Sequence, residues 1–128
     1  MNIAYGCLTI RALWELTRYE LVNFVFGFST IHRQMARHSV ATRKHTPETV
    51  ALVCEAVSLA ACFYWKPVLC LQRSVAAARL LRKYGIHGHL VIGYRPSPFF
   101  SHAWVEVDDR VVNDSPGYKQ RLIVLSTA

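Results

Sequence analysis

Acidic residues are scarce in this chain. Eight Asp and Glu face 15 Lys and Arg, giving a formal charge of +7 with neutral histidines and a pI near 9.6. That surplus invites anionic partners without choosing among nucleic acid, acidic peptides and a membrane surface. The four cysteines, Cys7, Cys54, Cys62 and Cys70, contain no CxxC pair, so neither a zinc knuckle nor a disulfide framework is indicated. Cys54, Cys62 and Cys70 fall in apolar, helix-like sequence where buried thiols are common. Long apolar runs are missing too. The most apolar segment, Leu8 to Phe28, is broken by Arg11, Glu15, Arg18 and Glu20, whereas a membrane span needs roughly 20 predominantly apolar residues. No basic region followed by a clean apolar stretch and a small-residue cleavage site opens the chain, so no signal peptide is read and a reducing cytosol is the expected compartment. There is no low-complexity run or internal repeat, and no helix-turn-helix or RNP-like signature, so nucleic-acid binding through the basic surplus is not expected.

What is present suffices to fold. A chain of 128 residues with 52% hydrophobic and 18% charged residues can bury one core, since single domains run on the order of 100–150 residues. Within one domain overall, residues 1–45 read as a helical region with a basic connector, open to partner contact, and residues 46–128 as the core. Ile10, Leu13, Trp14, Leu21, Phe24, Val25 and Phe28 approximate a helical i, i+3, i+4 stripe, read as core-facing ahead of partner-facing. From Ser29 to His45 come Arg33, Arg37, Arg43 and Lys44 with His32, His38 and His45 and no acid. A solvated connector or short helix is read there ahead of a contact surface for an acidic peptide or nucleic acid.

Thr46-Pro47-Glu48 reads as N-cap, first helical residue and first-turn acid. The helix it starts should reach about Tyr64, before Lys66-Pro67 interrupts. The Ala- and Leu-rich run from Cys70 through Tyr84 carries Arg82 and Lys83 in its last turn and stops at Gly85. Cys70 therefore sits at or near a helix N-terminus. Beyond Gly85 the period changes to two, with strands expected at His89–Tyr94, His102–Val107 and Arg110–Asn113, the last two joined by a tight turn at Asp108-Asp109. Helices first and a small antiparallel sheet after them make an α+β arrangement.

A nucleophilic cysteine must be a thiolate near neutral pH, and a helix N-terminus and a nearby imidazolium are the two usual means of lowering a thiol pKa from about 8.5. Cys70 has the first by position. His102 supplies the second if the sheet packs on that helix, and Asp114 is the natural carboxylate to orient the imidazole. By themselves the three residues also fit a buried thiol and a strand-capping histidine. Around them, however, Cys70-Leu71-Gln72-Arg73-Ser74, Leu90-Val91-Ile92-Gly93, Pro98-Phe99, Ser101-His102-Ala103-Trp104-Val105-Glu106 and Val111-Val112-Asn113-Asp114 occur in one order.

That series closely resembles the leader peptidases of lasso-peptide biosynthesis, cysteine proteases of the transglutaminase-like superfamily, over about Pro67 to Ser115. The resemblance implies a transglutaminase-like (papain-like cysteine protease) fold, with Cys70 as nucleophile, His102 as general base and acid, and Asp114 as orienting carboxylate. It implies no cofactor. Arg73 and Ser74 match the family pattern, and structural anchoring is read for them ahead of substrate contact. Trp104 is read as a core residue, on the strand face opposite His102 and Ala103 or against the helix. An oxyanion hole would use the Cys70 backbone N–H and an upstream donor such as Trp65, whose indole can only donate. Glu106 reads as a surface or salt-bridge group. No metal site is read, because His87 and His89 lack a third ligand of suitable local spacing.

The length leaves no room for an N-terminal winged-helix domain of roughly 80 residues, so the resemblance implies a stand-alone protease subunit. The substrate would be a precursor peptide whose leader is held by a separate recognition protein, a RiPP recognition element, and whose freed core passes to an ATP-dependent macrocyclase. The apolar stripe from Leu8 to Phe28 and the basic stretch after it become candidate surfaces for that protein or for the leader. Two other readings stay open: a different transglutaminase-like acyl transferase or hydrolase, and a non-catalytic peptide-binding module in which Cys70 is packing.

Overall fold

Glycine and proline divide the chain into its elements. In the computed structural model, which describes residues 3–37, 47–113, 117 and 122–128, helix α1 (Ile3–Phe26) ends at Gly27, whose φ of +82° is open to glycine at little cost. Helix α2 (Phe28–Arg37) follows at once, so the basic stretch begins as a short helix. Helix α3 (Pro47–Phe63) opens on proline with Glu48 in its first turn, and α4 (Cys70–Lys83) starts after the Lys66-Pro67 break. The expected N-cap Thr46, the basic residues His38, Arg43, Lys44 and His45, and Asp114 lie outside the described residues.

Helix α4 is the centre of the packing. Its Val75, Ala76, Ala77, Ala78, Leu80 and Leu81 are all buried, and the small alanines let neighbouring backbones approach closely. The same core takes Leu8, Ala12, Leu16 and Tyr19 from α1 and Val50, Val53, Ala56, Val57 and Ala60 from α3. Polar links fix the α1–α4 pairing. Gln72 Nε2 donates to the Leu16 carbonyl at 3.0 Å, and the fully buried Glu15 meets Arg79 Nε at 2.9 Å and Lys83 Nζ at 2.7 Å.

The core-facing stripe expected on α1 is corrected here. Ile10, Trp14, Leu21, Phe24 and Val25 point outward, Phe24 being 90% exposed, while Leu13 and Phe28 are only partly covered. α1 is apolar around most of its circumference, so periodicity alone selects no face. Packing chose the narrower seam containing Ala12 and the ion-paired Glu15. Among the described residues no helix is long and apolar enough to cross a membrane.

The sheet has four antiparallel strands rather than the expected three, in the order β3-β2-β1-β4. Strands β1 (His89–Pro96) and β2 (Phe99–Val107) form a long hairpin, and β3 (Arg110–Val111) follows a two-residue turn. Asp108 and Asp109 there both take positive φ, 52° and 62°, the type I′ geometry that matches strand twist. Strand β4 (Ile123–Thr127) pairs with β1 from the C-terminal end of the chain. Its signal, the run Leu122-Ile123-Val124-Leu125, is short, and four apolar residues cannot announce a distant partner. Ala103, Val105 and Val107 face the helices, whereas Val91, Trp104 and Leu122 form a second small cluster on the other face.

Candidate active site

Cys70 is the first residue of α4 and is half-buried against the main core. The preceding residue, Leu69, is extended (ψ 165°) and provides no side-chain cap. Since Arg73 N is the first amide of this turn bonded back, to Leu69 O at 3.0 Å, the amides of Cys70, Leu71 and Gln72 lack an acceptor within the helix. A helix start left without a side-chain cap is a ready site for negative charge. Cys70 alone among the cysteines begins a helix. Cys7 is exposed on α1, and Cys62 is exposed on α3, where its apolar surroundings in the sequence suggested burial. Cys54 is buried, and burial pushes its thiol up to about 11, so it is protonated and inert near neutral pH.

One turn into α4, the fully buried Ser74 ties the helix to the sheet. Its Oγ donates to the Ala103 carbonyl at 3.1 Å and accepts from Asn113 Nδ2 at 3.1 Å, while Asn113 Oδ1 accepts from Val105 N at 2.8 Å. Three segments meet at these bonds: the start of α4, strand β2 beside His102, and the segment that leads to Asp114. In the sequence Asn113 stands out only as part of the Val-Val-Asn-Asp motif. Its bridging amide became visible only once β2 and α4 were packed together.

His102 lies on β2, half-buried, directly across from Gly93 of β1. Its ring is stacked between two others. Phe100 lies 6.1 Å away at 14° and Trp104 6.4 Å away at 25°, centroid to centroid. Trp104 is therefore on the same strand face as His102, away from the helices, which corrects the expectation that it faces opposite His102 or packs against the helix; the same alternation turns His102 away from α4, so the sheet packs on the cysteine helix through Ala103 and its neighbours and not through a Cys70–His102 contact. The reason is the period of two, which sends 100, 102, 104 and 106 to one side and Ala103 to the other. Trp104 is indeed fully buried, and its indole Nε1 donates to Glu106 Oε2 at 2.8 Å. Glu106 is thus a buried partner of the tryptophan and not a surface group. The signal for Phe100 in the sequence is the alternation Phe-x-His-x-Trp-x-Glu over residues 100–106.

Of the remaining candidates, Arg73 is half-buried, and its charge acts on the Cys54 thiol, opposing the effect of burial. Trp65 is 78% exposed between α3 and α4, with Lys66 Nζ 5.4 Å above its ring and Tyr64 beside it. Asp114 falls outside the described residues. His87 and His89 sit edge to face, 4.4 Å apart, with Arg82 Nη2 3.5 Å from His87 Nε2. A guanidinium at that distance opposes a bound cation, and no group of three His, Cys, Asp or Glu among the described residues is placed to hold a metal.

The cysteine thus opens a helix that Ser74, one turn further on, ties to the strand carrying His102, within an α+β fold. The sequence model of the transglutaminase-like superfamily matches residues 13–127, and the chain belongs to that superfamily. A stretch of 57 residues is 47% identical to the microcin J25-processing protein McjB of Escherichia coli, covering 44% of this chain and 27% of that protein. The alignment thus spans about a quarter of the relative's length. No solved structure matches the chain.

Proposed function

We propose that this protein is a cysteine peptidase that removes the leader from a ribosomally made lasso-peptide precursor before macrocyclisation. The observation that carries the reading is the placement of Cys70 at the uncapped start of α4, one turn before the Ser74 bond to Ala103, the neighbour of His102. Superfamily membership and the similarity to a microcin-processing protein support the same reading.

In the proposed reaction His102 takes the Cys70 thiol proton, Sγ attacks the carbonyl at the leader–core junction, and the free amides at the start of α4, that of Cys70 first, receive the oxyanion. The C–N bond then breaks as His102 delivers a proton to the departing amine of the core. Water, deprotonated by His102, hydrolyses the thioester and frees the leader carboxylate. Asp114 orients the imidazole, and Phe100 and Trp104 restrain its plane by stacking. Arg73 and Ser74 anchor the catalytic helix, and Trp65 is the upstream oxyanion donor if it folds inward when substrate binds. A separate recognition protein holds the leader, an ATP-dependent macrocyclase consumes the freed α-amine, and the cytoplasm is the compartment.

The test is mass spectrometry of the precursor after incubation with this protein and its leader-binding partner, comparing wild type with Cys70→Ala. Loss of the leader mass with wild type alone is expected. An intact precursor with both, from protein shown to be folded, overturns the reading in favour of a binding module, and an isopeptide-linked product overturns it in favour of acyl transfer.

A further inference from the structure

Between α1, α2 and α4 lies an open surface cavity of about 290 Å3 lined by Arg18 of α1, Gln34 and Arg37 of α2, and Arg79 of α4. Three of its four lining side chains are guanidinium groups. The adjacent carboxylate is Glu15, which is fully buried and has its oxygens engaged by Arg79 and Lys83. Arg18 Nη2 reaches only the neutral Gln34 Oε1, at 3.3 Å, and among the described residues Arg37 has no carboxylate partner. The segment that follows Arg37, residues 38–46, contains no Asp or Glu, so it cannot supply the missing charge.

The crowding is felt electrostatically. Arg18 is held below the usual arginine range by burial and then by the like charge of Arg79, and Glu15 only partly offsets this. Arg79 acts the same way on the neighbouring Arg82, which burial and that charge bring down to about 10. Planar guanidiniums gathered around a concavity match the two oxygens of a carboxylate. A cavity of this size takes one side chain, whereas nucleic acid is bound along an extended basic stripe with many phosphate contacts.

We propose that this cavity is a carboxylate-binding site that receives an acidic side chain of a polypeptide partner. Arg79 lies nine residues beyond Cys70, which places the cavity about 14 Å along α4 and on its opposite side. The site therefore anchors a partner away from the thiol. The inference does not rest on the peptidase reading, because binding is measured without turnover.

The test uses the full chain titrated into fluorescein-labelled hexaglutamate and followed by anisotropy, with Arg18→Gln, Arg37→Gln and, as control, the exposed Arg33→Gln outside the cavity. Each cavity variant is expected to weaken binding by about fivefold or more, as loss of a charge-assisted hydrogen bond does, with Arg33→Gln close to wild type. Thermal melts establish that the variants are folded, and Arg37, being exposed at the end of α2, is the variant least able to disturb the core. Absence of binding, or an equal loss in Arg33→Gln, overturns the proposal. Displacement of the probe by inorganic phosphate at equal charge concentration, or tighter arginine-dependent binding of a single-stranded oligonucleotide, overturns the polypeptide assignment.

Discussion

Ser74 Oγ donates a hydrogen bond to the carbonyl of Ala103 across 3.1 Å, joining the first turns of the cysteine helix to the strand position next to His102. Asn113 completes the connection from the other side. The distance between helix start and strand is thus set by buried hydrogen bonds, and it does not depend on apolar packing alone.

Ser74→Ala removes a donor and an acceptor at a buried site. The Ala103 carbonyl and the Asn113 amide each lose a partner, and stability should fall by about 1–3 kcal/mol. Urea unfolding measures this, and precursor cleavage by the still-folded variant should slow, because the turn carrying Cys70 is no longer fixed to β2. Unchanged cleavage would remove Ser74 from any positioning role.

Gly93 faces His102 across the β1–β2 ladder. A Cβ there would approach the Trp104 ring to 2.7 Å and 2.9 Å and Leu122 Cβ to 3.0 Å. Gly93→Ala must displace the buried indole, and overpacking of this kind costs about 1–3 kcal/mol. Because Trp104 stacks on His102, the expected result is a lower melting temperature together with a lower cleavage rate.

Trp104→Phe keeps most of the ring and removes the Nε1 donor to Glu106. The carboxylate loses a buried hydrogen bond, and a destabilisation of about 1–2 kcal/mol is expected. The double variant Trp104→Phe with Glu106→Gln should recover part of that loss, since the group left without its donor is then neutral. A double-mutant cycle of chemical denaturation reads the coupling.

Burial raises the Cys54 thiol from 9.0 to about 11 in the folded protein. Between about pH 9 and 11 the unfolded chain gives up this proton and the folded one keeps it. Stability contributed by the group is therefore intact below pH 9 and is lost as pH rises, by up to about 1.4 kcal/mol per pH unit. Wild type should lose stability relative to Cys54→Ala across that window and not below it. In native protein at neutral pH, iodoacetamide should modify Cys7 and Cys62 and leave Cys54 untouched until unfolding.

Much of the site was legible because its signals are local. A proline before a helix, a run of alanine and leucine and a terminal glycine need no distant partner to place Cys70 at a helix start, and alternation alone announces the strand of His102. Where a local pattern admits two outcomes, the chain alone leaves the choice open. The α1 sequence is apolar on several faces, and only contact with α3 and α4 picked out Leu8, Ala12, Leu16 and Tyr19 for burial. The β4 segment gained its identity by pairing with β1, about 30 residues earlier in the chain.

By itself, then, the sequence determined the order of the main helices and the first three strands, the residue that opens α4 and the family to which the chain belongs, because these follow from capping, period and motif over a few residues. Tertiary structure alone decided which face of α1 is buried, that Asn113 bridges Ser74 and β2, that Phe100 and Trp104 flank His102, and that Arg18, Arg37 and Arg79 share one cavity. These contacts join residues far apart in the chain, and packing energy and charge, which act through space, select them.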